Sequence, residues 1–150
     1  SIFGLFSVPK QSIYNVGKFG VKAFTESLAL EMEMADSPVE VYCVFPGHIG
    51  TNIYHASKFK SFEADDAGAA IFGANASTIE EAADQFKNNA PSTPEYAAKV
   101  IIKNIKKKNK RILIGADAHF YDLMSRLSPK HFLKIIWVWP FFRNLFSRSK

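Results

Sequence analysis

Apolar residues recur near helical spacing between residues 12 and 34, at Ile13, Val16, Phe24 and Leu28. This predicts one long helix with Ser12 as its cap and Ser37-Pro38 as its stop. Gly17 and Gly20 each cost such a helix roughly 1 kcal/mol relative to alanine, so close approach of a cofactor or a partner helix is expected there. Val39 to Phe45 is mostly apolar and β-favouring and predicts a buried strand of a two-sided parallel sheet. The stretch from Thr51 to about residue 76 has no clear period and contains Gly68-Ala69-Ala70 and Gly73-Ala74-Asn75-Ala76. Loops of that length are usually functional lids or disordered segments. A short helix follows from Ser77 to about Asn89. Ser92-Thr93-Pro94-Glu95 then marks a helix start, with Thr93 as cap and Pro94 at the first helical position. That helix runs through Ala97, Val100, Ile101 and Ile105 and ends in a basic run, Lys106 to Arg111. Arg111 to Gly115 predicts a second strand, and Asp117 to Leu127 a further helix.

Composition narrows the function classes. An apolar content of 47% in 150 residues supplies one core. The single cysteine, Cys43, excludes an intrachain disulfide and is expected to be a small core residue. The four histidines, His48, His55, His119 and His131, are scattered, and no metal-ligand spacing is present. The net charge of +5 is unevenly spread: residues 1–91 carry 6 Lys and Arg against 11 Asp and Glu, and residues 92–150 carry 13 against 3. A basic final third suggests an anionic partner or surface. The 106–111 run suits a helix C-terminus electrostatically, and without motif or aromatic context it does not indicate nucleic acid. Residues 131–150 mix Trp137, Trp139 and several Phe, Ile and Leu with Lys134, Arg143 and Arg148. No apolar run there reaches the ~18–20 residues of a spanning helix. Two readings stand: peripheral contact at a lipid surface, or packing on the body or a second subunit.

The candidate chemistry lies near the start. Tyr14 and Lys18 are one helical turn apart and share a face. A free phenol, with a pKa near 10, is a poor acid or base at neutral pH. An ammonium roughly 4 Å away favours its charged form. Such a phenol can exchange a proton with a substrate oxygen. Ser1, thirteen residues before Tyr14, can hold that oxygen by a hydrogen bond.

The run Ser1-Ile2-Phe3-Gly4-Leu5, then Val8-Pro9, then Tyr14 to Lys18, resembles the active-site segment of the short-chain dehydrogenase/reductase family. Pro46-Gly47-His48-Ile49-Gly50-Thr51 is similar to the family's P-G-x-x-x-T segment. The resemblance is close over residues 1 to about 51 and continues in layout to about residue 115. A second Tyr-x-x-x-Lys, Tyr54 to Lys58, has Val41 where a serine is required and follows the Pro-Gly turn, so the first copy is preferred. Tyr54 and His55 then fall in the substrate loop.

The resemblance implies an α/β fold: residues 1–128 as the C-terminal part of a doubly wound, parallel-sheet Rossmann-type domain, and 129–150 as a basic, aromatic-rich helical tail. The sequence contains no G-x-G-x-x-G run, so a longer enzyme is expected, and the piece is expected to expose a strand edge and helix faces. The implied roles are Tyr14 as general acid/base, Lys18 as its charged partner and ribose ligand, and Ser1 as the substrate-orienting hydroxyl. Pro46, Gly47, the Ile49 backbone and Thr51 would lie at the nicotinamide end of NAD or NADP, between which these residues do not choose. The implied reaction interconverts a secondary alcohol and a ketone. Phe59, Phe62, Phe72, Trp137 and Trp139 suggest a small apolar substrate. A homo-oligomer and a cytoplasmic location, with peripheral membrane contact through 131–150, complete the expectation. The alternative is a non-catalytic piece that binds a subunit or a membrane surface.

Overall fold

The computed structural model describes residues 1–8, 11–53, 79–132 and 134. A short 3-10 turn, Ile2–Gly4, precedes helix α1, Ser12–Met34, and strand β1, Cys43–Pro46. Helices α2, Ile79–Asn88, and α3, Pro94–Lys106, come next, followed by strand β2, Arg111–Ile114, and helix α4, Ala116–Leu127. The two strands pair in parallel, with Cys43 opposite Arg111 and Pro46 opposite Ile114. Helices lie on both faces, the arrangement of a doubly wound Rossmann-type domain.

Two cores flank the sheet. On one side Ile112 and Ile114 pack with Ile49 and with Ala97 of α3, joined by Val44, Val100 and Ile101. Strand alternation sends Leu113 to the other side, where Ile2, Phe3, Phe6 and Val8 meet Ala118 and Tyr121 of α4. Phe132 completes this second core: its ring lies 5.1 Å from that of Phe6, so the start of the tail packs on the body. The rest of the tail, and the loop carrying Tyr54 and His55, lie outside the described residues.

The α3 start forms as its sequence dictates. The Thr93 hydroxyl accepts the Tyr96 N–H at 3.2 Å, and Pro94 occupies the first turn, where a missing N–H costs nothing. Asn109 then closes the α3 end with an N–H bond to the Asn104 carbonyl, past Lys108 in the left-handed region at φ 56°.

Three local expectations need correction. The α1 cap position is Gln11, with no side-chain cap bond, and Ser12 is already helical. The strand begins at Cys43, not Val39, because its partner begins at Arg111 and the Cys43 N–H takes the Lys110 carbonyl. Among the described residues Val39 to Tyr42 have no ladder to join, and Val39 is 58% exposed. Cys43 is half-buried, and burial, with the charge of Glu26, raises its thiol pKa, which keeps it protonated and inert.

The orientation of α1 is also informative. Asn15, Lys18, Lys22, Thr25, Ala29 and Met32, spaced three and four apart, form the face turned to the body. Glu26 pairs with Arg111, and Glu33 with Lys110, across this contact. The apolar stripe faces outward: Ile13 is 88% exposed, Val16 73% and Phe24 69%. The periodicity therefore marks a surface that nothing among the described residues covers, which agrees with the exposed helix faces expected above.

Candidate active site

The 2–4 turn brings Ser1 to the N-terminal end of α1. The Ser1 hydroxyl oxygen accepts the Phe3 N–H at 3.2 Å and caps the turn, leaving its own proton free to be donated. The Phe3 ring meets the Tyr14 ring edge to face at 6.0 Å, and the Gly4 backbone lies against the Lys18 carbonyl. Asn15 is buried, donates from Nδ2 to the Val8 carbonyl at 3.1 Å and ties α1 to the 1–8 segment. Sequence reading did not single out this tie; an amide inside the Tyr-x-x-x-Lys stretch is the only signal of it.

Lys18 Nζ stands over the face of the Tyr14 ring, 5.2 Å from its centroid. This is a cation–π pair, as i, i+4 spacing on one helix allows. Tyr14 is 42% exposed, and among the described residues nothing hydrogen bonds to its hydroxyl. The arrangement leaves a phenol oxygen open to solvent or ligand, with a positive charge over its ring and a serine hydroxyl on the adjoining turn.

The second predicted segment sits at the C-terminal end of β1. The Gly47 N–H extends the ladder to the Ile114 carbonyl at 2.9 Å. The His48 N–H donates to Asp117 Oδ2 at 2.6 Å. The His48 ring is buried, 4.3 Å from the Phe86 ring, and its Nε2 lies 2.6 Å from the Phe86 carbonyl. A carbonyl can only accept, so Nε2 carries the proton in this contact. Ile49 bridges in parallel to Ser92, and the Gly50 N–H donates to the Ser92 carbonyl at 2.9 Å. The Thr51 N–H returns to the Ile49 carbonyl.

Tyr14 and Lys18 thus stand together with the turn that follows Ser1 packed against them, and Pro46 to Thr51 form a second cluster. β1 touches both α1 and the 2–4 turn and so links the clusters. The contacts of the second cluster run to Ile114, Asp117, Phe86 and Ser92. Neither Asp117 nor Ser92 is signalled by a local motif, because both act through chain reversals of more than 40 residues. Tyr54 and His55 fall outside the described residues. Among the described residues no group of three or more His, Cys, Asp or Glu can hold a metal ion, and no helix is long and apolar enough to cross a membrane.

The donors of the second cluster fit the carboxamide end of a nicotinamide. Among the described residues the Ile49 N–H has no acceptor, although the residue itself is buried. The Thr51 hydroxyl, which can both donate and accept, stands two residues on. A carboxamide offers a carbonyl to the first and either atom to the second.

Comparison with known proteins bears on the family of the chain. The family model described as short chain dehydrogenase matches residues 1–61. The putative oxidoreductase SadH of Mycobacterium tuberculosis is 36% identical over 136 residues, covering 91% of this chain and 45% of that protein. Dehydrogenase/reductase SDR family member 7B of Xenopus laevis is 26% identical over 138 residues, covering 91% of this chain and 37% of its own length. The CLA biosynthesis dehydrogenase/reductase of Lactiplantibacillus plantarum is 27% identical over 66 residues, 44% of this chain and 23% of that protein. The chain spans about half the length, or less, of these relatives. No solved structure matches it.

Proposed function

We propose that this chain, which belongs to the short-chain dehydrogenase/reductase family, carries the catalytic end of an NAD(P)-dependent oxidoreductase that interconverts a secondary alcohol and a ketone. The observation that carries the reading is the Lys18 ammonium over the Tyr14 ring, whose phenol oxygen has no internal partner among the described residues. In the direction of oxidation, Tyr14 Oη takes the proton of the substrate hydroxyl. In reduction it returns that proton to the carbonyl oxygen. The Lys18 charge stabilises the negative charge that develops on Oη during transfer. The Ser1 hydroxyl donates to the same substrate oxygen and fixes its position. When bound, the nicotinamide supplies or accepts hydride at its C4 carbon. The Ile49 N–H and Thr51 would hold its carboxamide, and Lys18 would also reach its ribose.

The substrate class proposed is small and apolar, and the support is the aromatic content of the sequence at Phe59, Phe62, Phe72, Trp137 and Trp139. The outward apolar face of α1 favours a further element of the reading, a second copy of the protein against Ile13, Val16 and Phe24. The experiment for the main reading is a spectrophotometric assay of the gene-encoded protein with NAD and NADP and a panel of apolar secondary alcohols and ketones. Substrate-dependent change in reduced nicotinamide is expected. Binding of neither dinucleotide, by titration, would leave only a non-catalytic binding role.

A further inference from the structure

Four consecutive backbone amides in the turn after β1 meet different fates. Those of Gly47, His48 and Gly50 are bound internally, to Ile114, Asp117 and Ser92. Among the described residues that of Ile49 alone is left without an acceptor. Ladder geometry explains the two outer bonds, because Gly47 continues β1 against β2 and Gly50 follows the Ile49–Ser92 bridge. The bond of His48 is different in kind: its acceptor is a side chain, reached across 69 residues of sequence.

An acid in the first turn of a helix ordinarily serves the helix dipole from an exposed position, a contribution of about 0.3–1 kcal/mol. Asp117 has that place in α4 but not that environment. It is half-buried, and its carboxylate fills the space where a Cβ on Gly47 or on Gly115 would lie. Gly115 takes φ 96°, a conformation that favours glycine, and so delivers the first turn of α4 under the loop. Among the described residues no basic side chain pairs with Asp117, and its Oδ1 is buried without a partner. The carboxylate is therefore committed to the backbone of the turn, through one short charge-assisted bond.

We infer that Asp117 is the positioning residue of the dinucleotide site: its carboxylate fixes the His48 amide and thereby orients the neighbouring Ile49 N–H toward the nicotinamide carboxamide. The inference rests on the functional reading above and adds to it a residue that touches neither substrate nor cofactor. Without the carboxylate, His48 N–H seeks another acceptor, the peptide planes on either side of it turn, and the Ile49 donor loses its aim. Binding contacts to the adenosine and pyrophosphate end are not made by this turn and are left as they were.

The test is titration calorimetry on the gene-encoded protein with the tighter-binding of NADH and NADPH. The matching ADP-ribose, which lacks the nicotinamide, is titrated in parallel. Asp117→Ala is expected to weaken the dinucleotide about tenfold and ADP-ribose by no more than about twofold, as loss of one charge-assisted hydrogen bond's orienting effect implies. Asp117→Asn keeps an oxygen acceptor for His48 and is expected to recover most of the affinity, to within about threefold of the unsubstituted protein. If the alanine variant does not fold, Asp117→Ser, whose shorter side chain withdraws the acceptor from His48, is read in its place, with a loss confined to the dinucleotide as the expected result. Equal weakening of both ligands, or no weakening of either, overturns the positioning role and leaves the functional reading intact. Binding of neither ligand by the unsubstituted protein overturns the functional reading, and the inference falls with it.

Discussion

Gly47→Ala is predicted to destabilise the protein by roughly 1–2 kcal/mol, through contact with one named group. The added methyl would overlap both carboxylate oxygens of Asp117. Two escapes exist. The carboxylate can rotate away, losing the 2.6 Å bond from the His48 N–H; a hydrogen bond to a charged group is worth about 1.5–3 kcal/mol. Alternatively the turn can shift, straining the 2.9 Å bond from Gly47 to Ile114; overpacking of this kind typically costs about 1–3 kcal/mol. Alanine also stiffens the unfolded chain, which returns about 0.4–1 kcal/mol and keeps the net cost below that of the cheaper escape. The decisive comparison adds Asp117→Ala. With the carboxylate gone, the new methyl enters vacated space, so the double variant is predicted to be no less stable than Asp117→Ala alone. Urea unfolding of the four proteins, with midpoints and slopes compared, gives the coupling. Losses that add to within about 0.5 kcal/mol would refute the steric account, because such additivity is the mark of sites that do not touch.

Two further predictions concern stability alone. Thr93→Ala removes the hydroxyl that accepts the Tyr96 N–H and is expected to cost about 1 kcal/mol, measured by thermal or urea unfolding, with Thr93→Ser close to the parent. Burial works to raise the Asp122 carboxyl pKa, but bonds and charges from Arg111 and Arg126 outweigh it and hold the group below the usual carboxylate value. A depressed folded-state pKa contributes stability that is present above the unfolded value, near 3.9, and is lost as pH falls through the folded value. Asp122→Asn is therefore expected to melt below the parent at neutral pH, with the gap closing as pH falls below about 4; a gap that stays constant would refute the assignment.

Legibility followed the range of the interactions. The bounds of α3 can be read from Thr93-Pro94 and from the basic run, because capping and dipole effects act within one turn. The i, i+4 placement of Tyr14 and Lys18 is likewise local. The start of β1 is not, since Val39 to Tyr42 have strand-forming residues and only the position of Arg111 on another strand excludes them. The facing of α1 is hidden for a similar reason. Its hydrophobic stripe is left exposed among the described residues, while the opposite face is held by the Asn15 bond to Val8 and by ion pairs with Arg111 and Lys110, which lie far along the chain. Asp117 reads as an ordinary first-turn acid until the fold sets it beneath His48. The Arg111 guanidinium, 4.6 Å above the Phe45 ring and bonded to Asp122, reads in sequence as the end of a basic run.

The central claim is that the Tyr14 oxygen transfers the proton, and its most direct test is steady-state turnover of Tyr14→Phe in the gene-encoded protein, with dinucleotide affinity measured on the same preparation. Phenylalanine keeps the ring that Phe3 and Lys18 contact and removes only the oxygen. The account predicts a fall in kcat of about 10²–10⁴-fold, the usual contribution of general acid–base catalysis, with cofactor affinity nearly unchanged. Turnover comparable to that of the unsubstituted protein would contradict it.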